Sequence, residues 1–167
     1  KYNVPRMAFI NKMDRTGADF AGAVASMKEK LNANPVVIQM PVGAEDQFAG
    51  VIDLVSMQQI VWNDETLGAE YELKEIDPAY LDQAQEYRES LLESLSETDD
   101  EIMEKYLGEE EISEQELKAA VRKATIARDL VPVLCGSALK NKGIQPLLDA
   151  IGLYLPSPVD VLAVQGI

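Results

Sequence analysis

The 167-residue sequence contains no histidine and only one cysteine, Cys135, and these two scarcities remove most nucleophilic and metal chemistry at once. Without an imidazole there is no Ser–His or Cys–His pair, and a single thiol can neither close an intrachain disulfide nor assemble a zinc site. Cys135 lies in the apolar run VPVLC, where a buried, inert thiol in a reducing, cytoplasmic setting is expected. No apolar run approaches the ~20 residues needed to cross a bilayer, so no membrane association is expected. An initiator methionine and a signal peptide are also missing. The chain opens Lys-Tyr-Asn-Val and turns strand-like almost at once, the expected look of an internal piece of a longer protein.

Basic residues are scarce in one place only. Residues 64–116 hold 20 Asp and Glu against 3 Lys and Arg, while the rest of the chain has 12 basic and 9 acidic residues. The net charge of −14 therefore belongs to a central segment. A surface of that sign repels a phosphate backbone, so no direct nucleic-acid binding is expected from it. Two readings of the segment stand side by side: a solvated helical surface, or a docking face for a basic protein partner.

Apolar patterning divides the rest. Val4–Ile10 (VPRMAFI) has the make-up of a strand covered on both faces and runs directly into Asn11-Lys12-Met13-Asp14. A helix should follow on the stripe Phe20, Val24, Met27 and Leu31, ended by Asn32–Pro35. Strands are expected over Val36–Val42, Phe48–Val55, Met57–Trp62 and Tyr71–Ile76, with short links that favour antiparallel pairing. Asp77-Pro78 reads as the cap and first-turn proline of a helix lined by Leu81, Ala84, Arg88, Leu91, Leu92 and Leu95. Thr98 with Glu101, and Ser113 with Glu116, read as capping boxes of two more helices. Their inner faces should be Ile102, Met103, Tyr106 and Leu107, then Leu117, Ala120, Val121 and Ala124. Leu130–Cys135 is a second buried-type strand, and Ile144, Leu147, Leu148, Ile151 and Leu155 stripe a last helix stopped by Pro156-Ser157-Pro158.

Two strand–helix units thus flank a mixed block. The expected fold is α/β, the C-terminal half of a doubly wound sheet carrying an inserted α+β subdomain. The expected boundaries are 1–34 and 130–158 for the α/β unit, 35–129 for the acidic insert, and 159–167 for a linker onward.

Open α/β sheets bind ligands at the carboxyl ends of their strands, and Asn11-Lys12-Met13-Asp14 occupies such an end. The Asp14 carboxylate can accept from both the ring N1–H and the exocyclic amine of guanine, a pair that adenine does not present. The Lys12 stem can cover one face of the ring while its ammonium stays wet. Asn11 offers a donor and an acceptor, for the base edge and for tying neighbouring loops together. The competing reading is a polar turn in which Asp14 merely caps the next helix. A second strand end argues for the base. Gly136-Ser137-Ala138 closes the other buried strand with small residues, and the Ala138 N–H could donate to the guanine carbonyl. Adenine, with an amine there, would leave that donor unpaired at a cost of about 1–3 kcal/mol.

Asn11–Arg15, the stretch Gly136-Ser137-Ala138-Leu139-Lys140-Asn141-Lys142-Gly143 and Leu147-Leu148-Asp149-Ala150 resemble the last two guanine-specificity motifs of translational GTPases. VPRMAFINKMDRTGA, PVGAEDQFAGVIDLV and YLPSP resemble the elongation factor G family in particular, across nearly the whole chain. The resemblance implies a GTP/GDP-binding, P-loop-GTPase-type sheet in which Asn11 and Asp14 hold the base and Lys12 stacks on it. It further implies that Ser137 supports Asp14, that Ala138 gives its backbone N–H, and that Leu139 closes the far side of the ring. Implied partners are the ribosome and, through the 35–129 insert, its stalk protein. The implied activity of the parent is GTP hydrolysis coupled to translocation.

The phosphate half of such a site is missing. No Gly-x-x-x-x-Gly-Lys-Ser/Thr loop occurs, and Lys140–Gly143 lacks both the glycine spacing and the trailing hydroxyl. The Mg²⁺ ligands and the group that orients the attacking water are also lacking, and in the family these parts come earlier in the chain. The segment alone is therefore expected neither to hydrolyse GTP nor to bind nucleotide tightly, and it supplies no catalytic residue and no metal ligand. The alternatives are a protein-interaction module on a GTPase-like scaffold, or a related translational GTPase such as a release factor.

Overall fold

The computed structural model describes residues 4–63 and 66–160. Its parallel sheet is built on the strand β7 (Val131–Cys135), buried along its whole length. On one side lies β1 (Ala8–Ile10), with Ala8 opposite Val133 and Ile10 opposite Cys135; on the other lies β2 (Pro35–Val37). All three run in the same direction. Between β1 and β2 the chain makes α1 (Phe20–Leu31), capped by Asp19, whose carboxylate accepts from Gly22 N–H at 2.9 Å. Asn32, in the left-handed region at φ 48°, ends it.

The apolar run 36–42, expected as one strand, divides at Ile38. Its N–H donates to Val133 O in the parallel sheet at 3.0 Å, while its carbonyl accepts from Leu54 N–H at 3.0 Å on the other side. Before Ile38 the chain belongs to β2; after it comes β3 (Gln39–Val42), the first strand of an antiparallel sheet. That sheet has the order β3-β4-β5-β6, where β4 is Gly50–Asp53, β5 is Gln58–Trp62 and β6 is Tyr71–Lys74. The strands are shorter than the apolar runs because turns consume the ends. Asp53 Oδ1, for example, accepts from Val55 and Ser56 N–H at 2.8 and 3.1 Å and starts the β4–β5 turn.

Three helices complete the insert: α2 (Pro78–Ser96), α3 (Asp100–Leu107) and α4 (Glu114–Ala127). Asp77 caps α2 and Pro78 opens it, as the sequence indicates. Ala84, Leu91 and Leu95 are buried, and Arg88, which interrupts that stripe, donates to the carbonyls of Leu54 and Val55, the latter at 2.9 Å. The arginine ties α2 to the β4–β5 turn. The cap of α3 is Asp99 and not Thr98: the Asp99 carboxylate accepts from Glu101 and Ile102 N–H, whereas Thr98 still donates to Leu95 O and finishes α2. The Ser113–Glu116 capping box of α4 forms as expected, above buried Leu117, Ala120, Val121 and Ala124.

The last helix, α5 (Ile144–Tyr154), turns a different face inward from the one its apolar stripe suggested. Ala150 and Tyr154 are buried and Leu147 packs on the core, while Leu148 is 62% exposed and Ile151 and Leu153 are exposed as well. The buried apolar side chains form one continuous cluster reaching across both sheets. No helix among the described residues is long and apolar enough to cross a membrane. Of the linker expected over 159–167, the part from 161 onward lies outside the described residues.

Candidate functional site

Because β1 and β7 are parallel neighbours, the loops that leave their carboxyl ends emerge side by side. Gly136 N–H donates to Ile10 O at 3.0 Å and Met13 N–H donates to Gly136 O at 3.1 Å, so each loop is fixed to the other. Met13, the variable residue of the Asn-Lys-Met-Asp turn, is 2% exposed and anchors the loop in the core. Lys12 reverses the chain in front of it at φ 65° and stays exposed. Glycine is required at 136: a Cβ there would lie 2.3 Å from Lys142 O and 2.7 Å from the Phe9 ring.

The polar side chains converge on this junction. Asn11 Oδ1 accepts from its neighbour Lys12 N–H at 2.8 Å and from Ala138 N–H, across the junction, at 3.0 Å. Asn11 therefore ties the two loops, and the amide expected to meet a base carbonyl is held by Asn11. The Asp14 side chain is 11% exposed. The Ser137 hydroxyl hydrogen-bonds it and holds its carboxyl below the usual carboxylate range, against the opposing effect of burial; the cations of Arg15 and Lys140 lower it further. Arg15 Nε stands 3.9 Å away. Ser137 itself is 1% exposed, so its hydroxyl is a fixed support. Leu139 is 77% exposed at the rim. Asp14 does not cap α1, since Asp19 does, which removes the bland reading of the tetrapeptide. Asn11, Lys12, Asp14, Ser137, Ala138 and Leu139 thus share one rim of the parallel sheet, with an ionised carboxylate held at its centre.

Two residues bear on this rim that the sequence did not single out. Glu45, in the 3₁₀ turn Glu45–Gln47 of the insert, donates its N–H to Met13 O at 2.8 Å and accepts from Gly17 N–H through Oε1 at 2.7 Å. Lys142, buried, donates from Nζ to Phe48 O at 3.1 Å. A cleft of about 310 Å³ lies among Asp14, Arg15, Glu45, Asp46, Phe48, Lys140 and Lys142. Nothing local to the sequence hinted at either contact. Among the described residues no group of three or more His, Cys, Asp or Glu side chains is placed to hold a metal ion. Cys135 is fully buried, and burial pushes its thiol far up, so it is inert.

Residues 1–157 match the family model described as the elongation factor Tu GTP binding domain. The elongation factor G of Aquifex pyrophilus is 58% identical over 166 residues, which are 99% of this chain and 24% of that protein. A crystal structure of a Thermus thermophilus protein superposes with a TM-score of 0.79 at 29% identity, over 93% of this chain and 23% of that one. The chain therefore spans about a quarter of the length of either relative.

Proposed function

The chain belongs to the family of elongation factor Tu GTP-binding domains, and we propose that it is the guanine-reading half of that domain in an elongation factor G, together with an acidic insert. One observation carries this reading: the ionised Asp14 carboxylate and the Ser137–Ala138 turn stand at adjacent strand tips, joined by the Asn11–Ala138 bond. Asp14 takes the ring N1–H and the exocyclic amine of guanine. The Lys12 stem lies over one face of the base and Leu139 over the other, with the Ala138 N–H shared between Asn11 and the base carbonyl.

The phosphate cradle, the Mg²⁺ ligands and the water-orienting group belong to other parts of the longer protein. Two features support this: no phosphate-loop motif occurs in the sequence, and β1 stands at an open edge of the described parallel sheet. The longer protein hydrolyses GTP during ribosomal translocation in the cytoplasm. Its insert, acidic along α2 and α3, docks on a basic partner, which in this reading is the ribosomal stalk protein.

The test is competition for guanine nucleotide on the full-length protein. The expected order is GDP, then IDP, which lacks only the exocyclic amine, then ADP. Equal affinity for GDP and IDP would contradict a carboxylate that reads both hydrogens. Run on the 167-residue chain alone with Mg²⁺, the same titration should give binding weaker than micromolar, because the charge-assisted phosphate contacts are lacking. A micromolar or tighter constant would contradict that part.

A further inference from the structure

The inserted subdomain reaches back to both base-reading loops through the turn 45–48, and Gly68 O adds a contact to the second loop by accepting from Asn141 Nδ2 at 3.2 Å. Glu45 opens it in the left-handed region at φ 57°, a conformation that a side chain with a Cβ holds only where its surroundings impose it. Two hydrogen bonds impose it. The Glu45 N–H donates to Met13 O at 2.8 Å, and its carboxylate Oε1 accepts from Gly17 N–H at 2.7 Å. Met13 and Gly17 bracket Asp14, so Glu45 grips the loop on both sides of the carboxylate. Gly43 must be glycine for this turn to close, because it stands at φ 75° with Gln47 O only 2.2 Å from where a Cβ would be.

The far end of the same turn holds the second loop. Phe48 O accepts from Lys142 Nζ at 3.1 Å, and the Lys142 side chain is sheltered from solvent. The Lys142 backbone exchanges both of its hydrogen bonds with Ser137, at 2.9 and 3.0 Å, and Ser137 is the residue that supports Asp14. The turn 45–48 thus touches the Asn11–Gly17 loop at one end and the Ser137–Lys142 loop at the other.

We propose that Glu45 is a positioning residue for guanine recognition: by bonding Met13 and Gly17 it sets the direction in which Asp14 presents both carboxylate oxygens to the base. This rests on the reading of Asp14 given above. A carboxylate accepting from a backbone N–H is a charge-assisted bond, stronger than its neutral counterpart, and it fixes a loop that is otherwise exposed. Losing it lets Asp14 tilt, and a tilted carboxylate still takes one hydrogen but not two. The insert is therefore part of the base site.

The experiment compares GDP and IDP affinity in the full-length protein for Glu45→Ala, Glu45→Asp and Glu45→Gln. Glu45→Ala should weaken GDP by about tenfold and reduce the GDP-over-IDP preference by a similar factor. Glu45→Asp, which keeps the charge but withdraws the oxygen by one methylene, should follow it, and serves if the alanine variant fails to fold. Glu45→Gln, whose amide oxygen still accepts from Gly17, should restore most of both. A GDP-over-IDP preference unchanged in Glu45→Ala and Glu45→Asp overturns the proposal, even where both affinities fall together, because a merely structural role lowers the two alike. Asp14→Asn separates the two claims. If it moves the preference and the Glu45 variants do not, only the role of Glu45 falls; if neither moves it, both fall.

Discussion

A methyl group on Gly136 would lie 2.3 Å from Lys142 O and 2.7 Å from the Phe9 ring, both parts of the frame that holds the two loops together. Neither neighbour is the loose end of a flexible chain, so Gly136→Ala must push β1 and β7 apart at their tips. The expected cost is about 2 kcal/mol of unfolding free energy, read from urea titration, with guanine nucleotide affinity lost alongside. A variant as stable as the parent would show that the junction yields more easily than its geometry suggests. At this scale the site was partly legible. Asp14 and Asn11 could be picked out because their chemistry suits a particular base and they sit at a strand end; Ser137 was marked there only by its small size, and its support of Asp14 came from the family resemblance. Glu45 and Lys142 could not, because an acidic residue in a turn and a lysine in a loop carry no distinguishing pattern until the fold shows what they touch. Asn11 was legible in kind only: its role as a tie was foreseen, its claim on the Ala138 N–H was not.

Among the elements, Glu116 offers a test of how the acidic insert is held. Its carboxyl is drawn down to about 2, by the Lys105 ammonium first and by the Ser113 backbone and hydroxyl next. A carboxyl whose folded pKa is depressed lends stability that is fully present above its unfolded value, near 4.5, and lost as pH falls toward about 2. Because the group is exposed, the contribution is modest. The Glu116→Gln variant should therefore show a flatter decline of helical signal between those two pH values than the parent. Parallel curves for the two proteins would contradict the assignment. Local signals of this kind served well: the Ser113–Glu116 box and the Asp77-Pro78 start form as the sequence indicates, since both partners lie within one turn. They failed where two candidates sat side by side. Thr98 and Asp99 are both good caps, and Asp99 takes the role because the Thr98 hydroxyl donates back to Leu95 O at the end of α2 while the Asp99 carboxylate accepts from Glu101 and Ile102 N–H. The stripe of α5 misled for another reason: apolar residues run around most of the helix, so periodicity alone did not say which face meets the core.

For the molecule as a whole, the informative event is the transfer of the chain from one sheet to another at Ile38. A run that is apolar except for Gln39 hides it, because both sheets bury that stretch and neither demands alternation. The transfer places the insert directly beside the parallel sheet, close enough for the turn at Glu45 to bond the base loop. The parallel order of β1 and β7, separated by more than a hundred residues in sequence, was inferable because each strand leads into a helix and because both strand ends suit one base. Exchanging guanosine for xanthosine diphosphate tests that inference most directly. In the full-length protein, Asp14→Asn substitutes an amide for the carboxylate, and the xanthine carbonyl then finds a donor where guanine needs an acceptor. The expected result is weaker GDP binding and a relative preference for XDP; a GDP-over-XDP preference identical to that of the parent would contradict a base read by Asp14.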